Sequence, residues 1–152
     1  MIFQDSNPAK TLKFVNIIHL ISFFIQAVIL VVVYIKVMHS DTFRFSDPQI
    51  ITYLQYIAVI VALAVVPLNE YFIKQKLNKI NQISELKEKV NGYFSLIIIK
   101  LSLIEMGSII ASVLYYLTGH KTFGYLAVIL IIFFMISRPT HYKTNTDLNT
   151  DI

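Results

Sequence analysis

A chain of 152 residues that is 56% hydrophobic and only 14% charged, with a formal charge of +4, does not read as an ordinary water-soluble domain, in which about 25% of residues are charged. The lack of cysteine excludes disulfides, thiol catalysis and thiolate metal sites. The positive charge gathers at the edges of apolar runs, which is the pattern of membrane topology rather than of phosphate binding, so no nucleic-acid partner is expected.

Residues 1–13 are polar, with Pro8, Lys10 and Lys13, and read as a frayed segment or short interfacial turn. The first apolar run, 14–37, is longer than a secretory h-region of about 7–15 residues, and no small-residue cleavage site follows it. It is expected to stay as a spanning helix. Asp47-Pro48 stops the loop at 40–48 and restarts a helix. The second run, 50–72, contains Pro67, which should kink it one turn before its inner end. A spanning helix needs about 20 apolar residues. The runs 14–37, 50–72 and 94–117 meet that length. The run 123–137 is short, and spans only by borrowing from residue 120 onward (120–137) or in thinned bilayer.

Between spans two and three, Ile73, Leu77, Ile80, Ile83, Leu86 and Val90 recur every three or four residues, so this stretch is helical. It fits either a single amphipathic helix on the membrane surface or extensions of spans two and three joined by a turn at Asn81-Gln82. The second geometry is preferred, because Ser84 is a good N-cap and Glu85 suits a first helical turn. It gives a helical hairpin over 73–92, expected on the cytoplasmic side. Thr118-Gly119 closes span three, and His120-Lys121 leave so short a connection that spans three and four form an antiparallel hairpin. Ser137-Arg138-Pro139 ends span four, and the polar tail 143–152 is expected to be disordered. No residue-level repeat relates the two halves.

Orientation follows from the basic residues. Lys10, Lys13, Lys74, Lys76, Lys79, Lys87, Lys89, Arg138 and Lys143 fall on one side, and only Lys36, Arg44 and Lys121 on the other. Both termini and the 73–92 hairpin are therefore expected to be cytoplasmic.

Span three carries Ser102, Glu105, Ser108, Ser112 and Tyr115, and span one carries Asn16, His19, Ser22 and Gln26, each set at spacings of three or four and so on one helix face. Gln26 lies twelve residues past Phe14 and Glu105 eleven past Phe94. At ~1.5 Å per residue the two reach the same depth and are expected to pair. An ionisable residue at mid-membrane is a candidate site. The candidate intramembrane polar site is Glu105, Gln26, His19, Ser102, Ser108 and Ser112. It lines a polar track suited to proton exchange, or it ties helices together by hydrogen bonds. His19, near the inner end, reads as structural. Lys100 is expected to snorkel towards the cytoplasm. Gly107/Ala111 and Ser108/Ser112 are small-xxx-small pairs that permit close helix contact, within the bundle or between copies.

No hydrolase elbow, zinc-protease helix or phosphate loop occurs. His19, His39, His120 and His141 are scattered over both sides. Neither catalysis nor a metal or cofactor is expected.

The Ser-Glu-Leu-Lys start at 84–87, the buried Glu105, the Tyr-x-Leu-Thr-Gly turn at 115–119 and the closing Arg138-Pro139-Thr140 resemble small uncharacterised four-span bacterial inner-membrane proteins over roughly 84–143. The resemblance implies the topology and no activity. The expectation is one all-α domain, a four-helix transmembrane bundle with cytoplasmic termini and with helices 2 and 3 extended into the cytoplasm. It sits in a bacterial inner membrane, with the lipid bilayer as its first partner and a second copy or a larger membrane complex as the others. Its expected role is accessory or structural. The alternative is a small proton-coupled transporter or channel component working through Glu105.

Overall fold

The computed structural model describes residues 8–40 and 42–148. They form five α-helices and no strand: α1 (Pro8–Met38), α2 (Pro48–Asn81), α3 (Leu86–Thr118), α4 (Lys121–Ile136) and α5 (His141–Leu148). Expectations for 1–7 and 149–152 lie outside the described residues. α1, α2 and α3 are each long and apolar enough to cross a membrane. α4 has 16 residues, about 24 Å at 1.5 Å per residue, short of the ~30 Å hydrocarbon layer. It joins α5 at a bend of 73°.

Local chemistry sets the helix ends. The Asp47 carboxylate accepts from Gln49 N at 2.8 Å, and Pro48 takes the first helical position, where its missing N–H costs nothing. α2 then runs unbroken through Pro67 to Asn81. α3 begins at Leu86, so the hairpin geometry holds over this interval and no single surface helix forms. The cap residue is Glu85, not the expected Ser84: its carbonyl accepts from Lys89 N at 3.0 Å, and its side chain makes no cap bond. The turn Gln82–Glu85 is held from the α2 side by Gln82 N and Ile83 N donating to Lys79 and Ile80 carbonyls, which carries the non-helical stretch one residue further. α3 ends on Gly119, left-handed at φ 65°, whose N–H donates to the Tyr115 carbonyl at 2.8 Å.

α3 is the central helix and packs against each of the other four. Its buried residues run from Val90 through Tyr93, Ile97, Leu101, Ile104, Ser108, Ala111 and Tyr115 to Thr118, the three-and-four spacing of one inward face. α1 and α2 lean on α3 and α4 rather than on each other. Gly107 lets α4 approach, since a Cβ there would sit 3.3 Å from Leu130 Cδ1, and Ala111 is buried beside it. This small-xxx-small pair therefore serves contact within the bundle.

The outer surface is apolar. Among the described residues, none in the most apolar window of α2 is buried, and Phe24, Ile57, Leu63 and Ile136 are all more than half exposed. Scattered exposed leucines are normal in water, but whole apolar faces on three helices are the surface of a protein solvated by lipid.

The chain does not leave the bundle as a tail at 143. Residues 141–148 form α5, which folds back against α2 and α3. Thr140 Oγ1 accepts from Lys143 N at 3.2 Å and caps the helix. Thr144 and Leu148, four residues apart and so on one face, are buried, and Leu148 joins a cluster with Leu12, Val15, Val90 and Tyr93. Asn81 Nδ2 donates to the Asp147 carbonyl and Tyr93 Oη to the Asp147 carboxylate, both at 2.9 Å. α5 thus latches the α2–α3 hairpin. Tyr93→Phe is expected to lower stability by about 1 kcal/mol, the worth of such a hydrogen bond, and to speed amide hydrogen exchange in 141–148 more than elsewhere. Uniform acceleration would show that Asp147 does not hold α5.

Candidate functional site

Three of the four residues on the polar face of α1, Asn16, His19 and Gln26, are bonded to residues outside α1. Asn16 Oδ1 accepts from Arg138 Nε at 3.1 Å. His19 is 4% exposed; its Nε2 donates to the Phe134 carbonyl at 2.7 Å, and its ring stacks on that of Phe134 at 4.5 Å and 7°. The bond has a structural cause. Pro139 has no N–H and disfavours helix at Arg138, so Arg138 N turns to the Met135 carbonyl. The Phe134 carbonyl keeps only a 3.2 Å bond from Ser137 N in place of its normal partner, and His19 supplies a second donor. Ser22 is half-buried.

Gln26, 2% exposed, meets Ser108 and not Glu105. Ser108 Oγ donates to Gln26 Oε1 at 2.5 Å and also lies 2.9 Å from the Glu105 carbonyl. One hydroxyl carries one proton and cannot donate to both at once. Rotating the Gln26 amide by half a turn lets its NH2 donate to Ser108 Oγ, while Ser108 donates to the Glu105 carbonyl. As placed, Gln26 Nε2 is buried without a hydrogen-bond partner among the described residues. Ser112 Oγ donates to the Ser108 carbonyl at 2.9 Å, a local bond that satisfies the hydroxyl within its own helix.

The expected Gln26–Glu105 pair fails for a geometric reason. A step of three residues turns a helix by 300°, so each such step slips about 60° around the axis. Ser102, Glu105 and Ser108 therefore fan across about 120° instead of forming a column. Ser102 is exposed, Glu105 half-buried, and Ser108 and Ser112 buried. The half-buried Glu105 side chain sits on the flank of the buried face of α3, and no hydrogen bond or ion pair to its carboxyl is made by the described residues.

A second polar contact was not foreseen. Lys100, 5% exposed, does not reach free to the membrane edge; Lys100 Nζ donates to Glu70 Oε1 in an ion pair between α3 and α2. Asn69, also buried, donates to the Lys100 carbonyl at 3.3 Å. Hairpin geometry carried the signal. Gly92 faces Ile80 across the turn; ten residues back from Ile80 is Glu70, and eight on from Gly92 is Lys100.

At the other end of the bundle the Gln55 amide lies against the His120 ring, 2.5 Å from Nδ1, and 3.3 Å from Thr122 Oγ1. No group of three or more His, Cys, Asp or Glu side chains able to hold a metal ion occurs among the described residues. No family model, curated protein or solved structure matches the chain.

Proposed function

We propose that this protein is a non-catalytic, multi-span accessory protein of a bacterial inner membrane, which meets another transmembrane helix along the flank of α3 that carries Ser102 and Glu105. The observation that carries this reading is the half-buried Glu105 carboxyl near the middle of an apolar helix, unpartnered among the described residues while Asn16, His19 and Gln26 of α1 are bonded within the bundle. A carboxyl in hydrocarbon is costly without a hydrogen-bond partner, charged or neutral. Polar contacts between spanning helices contribute about 0.6 kcal/mol on average, enough to select a partner when the rest of the surface is lipid-like. The proposed topology has four spans, with α4 and its bend to α5 as the last, and both termini and the α2–α3 turn in the cytoplasm by the nine-to-three distribution of basic residues.

The chain has no cysteine, so single cysteines report cleanly. Cysteines at 102, 105 and 109 are expected to give covalent adducts in native membranes, with a second copy or another protein, and cysteines at the buried positions 104, 108 and 111 none. Glu105→Gln, which keeps a hydrogen-bonding head, should preserve the adduct formed through position 109; Glu105→Leu should abolish it. Absence of adducts from the flank, together with a proton flux in proteoliposomes that Glu105→Gln removes, would replace this reading with the proton-coupled one.

A further inference from the structure

At the end of the bundle where α1 begins and α4 turns into α5, a cleft of about 570 Å³ opens between these helices. Its mouth is lined by Lys13, Arg138 and His141 with Asn16, and no carboxylate lines it. The Lys100–Glu70 pair is the one salt bridge among the described residues, so neither Lys13 nor Arg138 has an acidic partner there. Arg138 is oriented by its Nε bond to Asn16, while its terminal NH2 groups make no hydrogen bond within the described chain. Deeper in, the wall changes to Ile17, Leu20, Phe23 and Met135, with the His19 ring among them already bonded to the Phe134 carbonyl. From Lys13 to Phe23 the cleft descends ten residues of α1, about 15 Å at 1.5 Å per residue. The change from cationic to apolar coincides with the start of the apolar run at residue 14, the level at which lipid phosphates lie.

We infer that this cleft is a binding site for the phosphate of an anionic phospholipid, with an acyl chain descending over Leu20, Phe23 and Met135. A guanidinium and an ammonium lining one cleft that no carboxylate lines suit a phosphate, and basic pockets between helices at a membrane edge take acidic headgroups in this way. The apolar depth separates a lipid from a soluble phosphate compound, which would leave that wall uncovered. The inference is independent of the reading of Glu105, on which no part of the cleft depends.

The test is native mass spectrometry of the full chain in detergent, with phosphatidylglycerol, phosphatidylcholine or glycerol phosphate added in separate arms. Phosphatidylglycerol is expected to be retained at least about tenfold more than phosphatidylcholine, and glycerol phosphate not at all. Each basic residue near a membrane surface contributes about a fivefold change in binding to acidic lipid, so K13Q should weaken phosphatidylglycerol retention about fivefold and K13Q/R138Q roughly 25-fold. K13Q breaks no bond within the described protein, so its effect is not a folding defect. K74Q/K143Q removes the same charge outside the cleft and should bind like the parent. Equal retention of the two lipids, undiminished binding by K13Q/R138Q, an equal loss in K74Q/K143Q, or retention of glycerol phosphate would each overturn the assignment.

Discussion

Glu70→Ala is expected to destabilise the detergent-solubilised protein by about 3 kcal/mol, and Lys100→Met by less than about 1 kcal/mol, although both remove the same ion pair. The asymmetry comes from burial. The Lys100 side chain is 6% exposed and that of Glu70 48%. Removing Glu70 strands an ammonium in the bundle interior, and breaking a buried pair in this way costs about 3–5 kcal/mol. The lower end applies, because a half-exposed carboxylate is already partly screened. Removing Lys100 instead leaves Glu70 free to rehydrate, beside Lys74 and Lys143, whose charges it already feels. Methionine is unbranched, of similar length and tolerant of irregular space, so the packing of the lysine stem survives. Unfolding by titration with denaturing detergent, followed by circular dichroism, gives both numbers. Equal costs would mean that Lys100 is as well solvated as Glu70.

Gly119→Ala is expected to cost about 2–5 kcal/mol. Left-handed backbone at φ 65° costs a non-glycine residue about 1–2 kcal/mol. A Cβ at this position would lie 2.4 Å from Phe43 Cζ and 2.6 Å from both neighbouring ring carbons, and overpacking of that kind costs about 1–3 kcal/mol. Phe45 N donates to the Leu117 carbonyl at 3.2 Å and holds the loop backbone against the α3–α4 turn, so relief has to come from rotation of the Phe43 ring, and the lower end of the range applies if the ring turns freely. A double-mutant cycle separates the two causes. Phe43→Ala removes the clash but not the backbone strain, so the coupling between the two sites should be about 1–3 kcal/mol. Coupling near zero would show that the loop does not cover Gly119.

The three long apolar helices, the restart at Asp47-Pro48, the stop at Gly119 and the helical hairpin at 73–92 were legible in the residues alone, since each depends on neighbours within a turn or two. The small-xxx-small pair of Gly107 and Ala111 was legible too, but the helix it meets was not; the structure places α4 there. α5 was missed because only two of its eight residues, Thr144 and Leu148, are buried. Two positions in a polar stretch make no periodic signal, and only the cluster around Leu12, Val15 and Tyr93 gives them something to cover.

For the candidate site, the sequence by itself determined which residues are polar and roughly how deep they lie: Gln26, Glu105 and Ser108 at mid-span, His19 towards one end. Which of them meet was decided by the tertiary structure, because partnership depends on how far each helix is rotated about its axis, and a stripe spaced by threes winds about 60° per step. That rotation is set by packing along the whole inward face of α3, from Tyr93 to Tyr115. It brings Ser108 to Gln26 and Lys100 to Glu70, and leaves the Glu105 carboxyl on the flank.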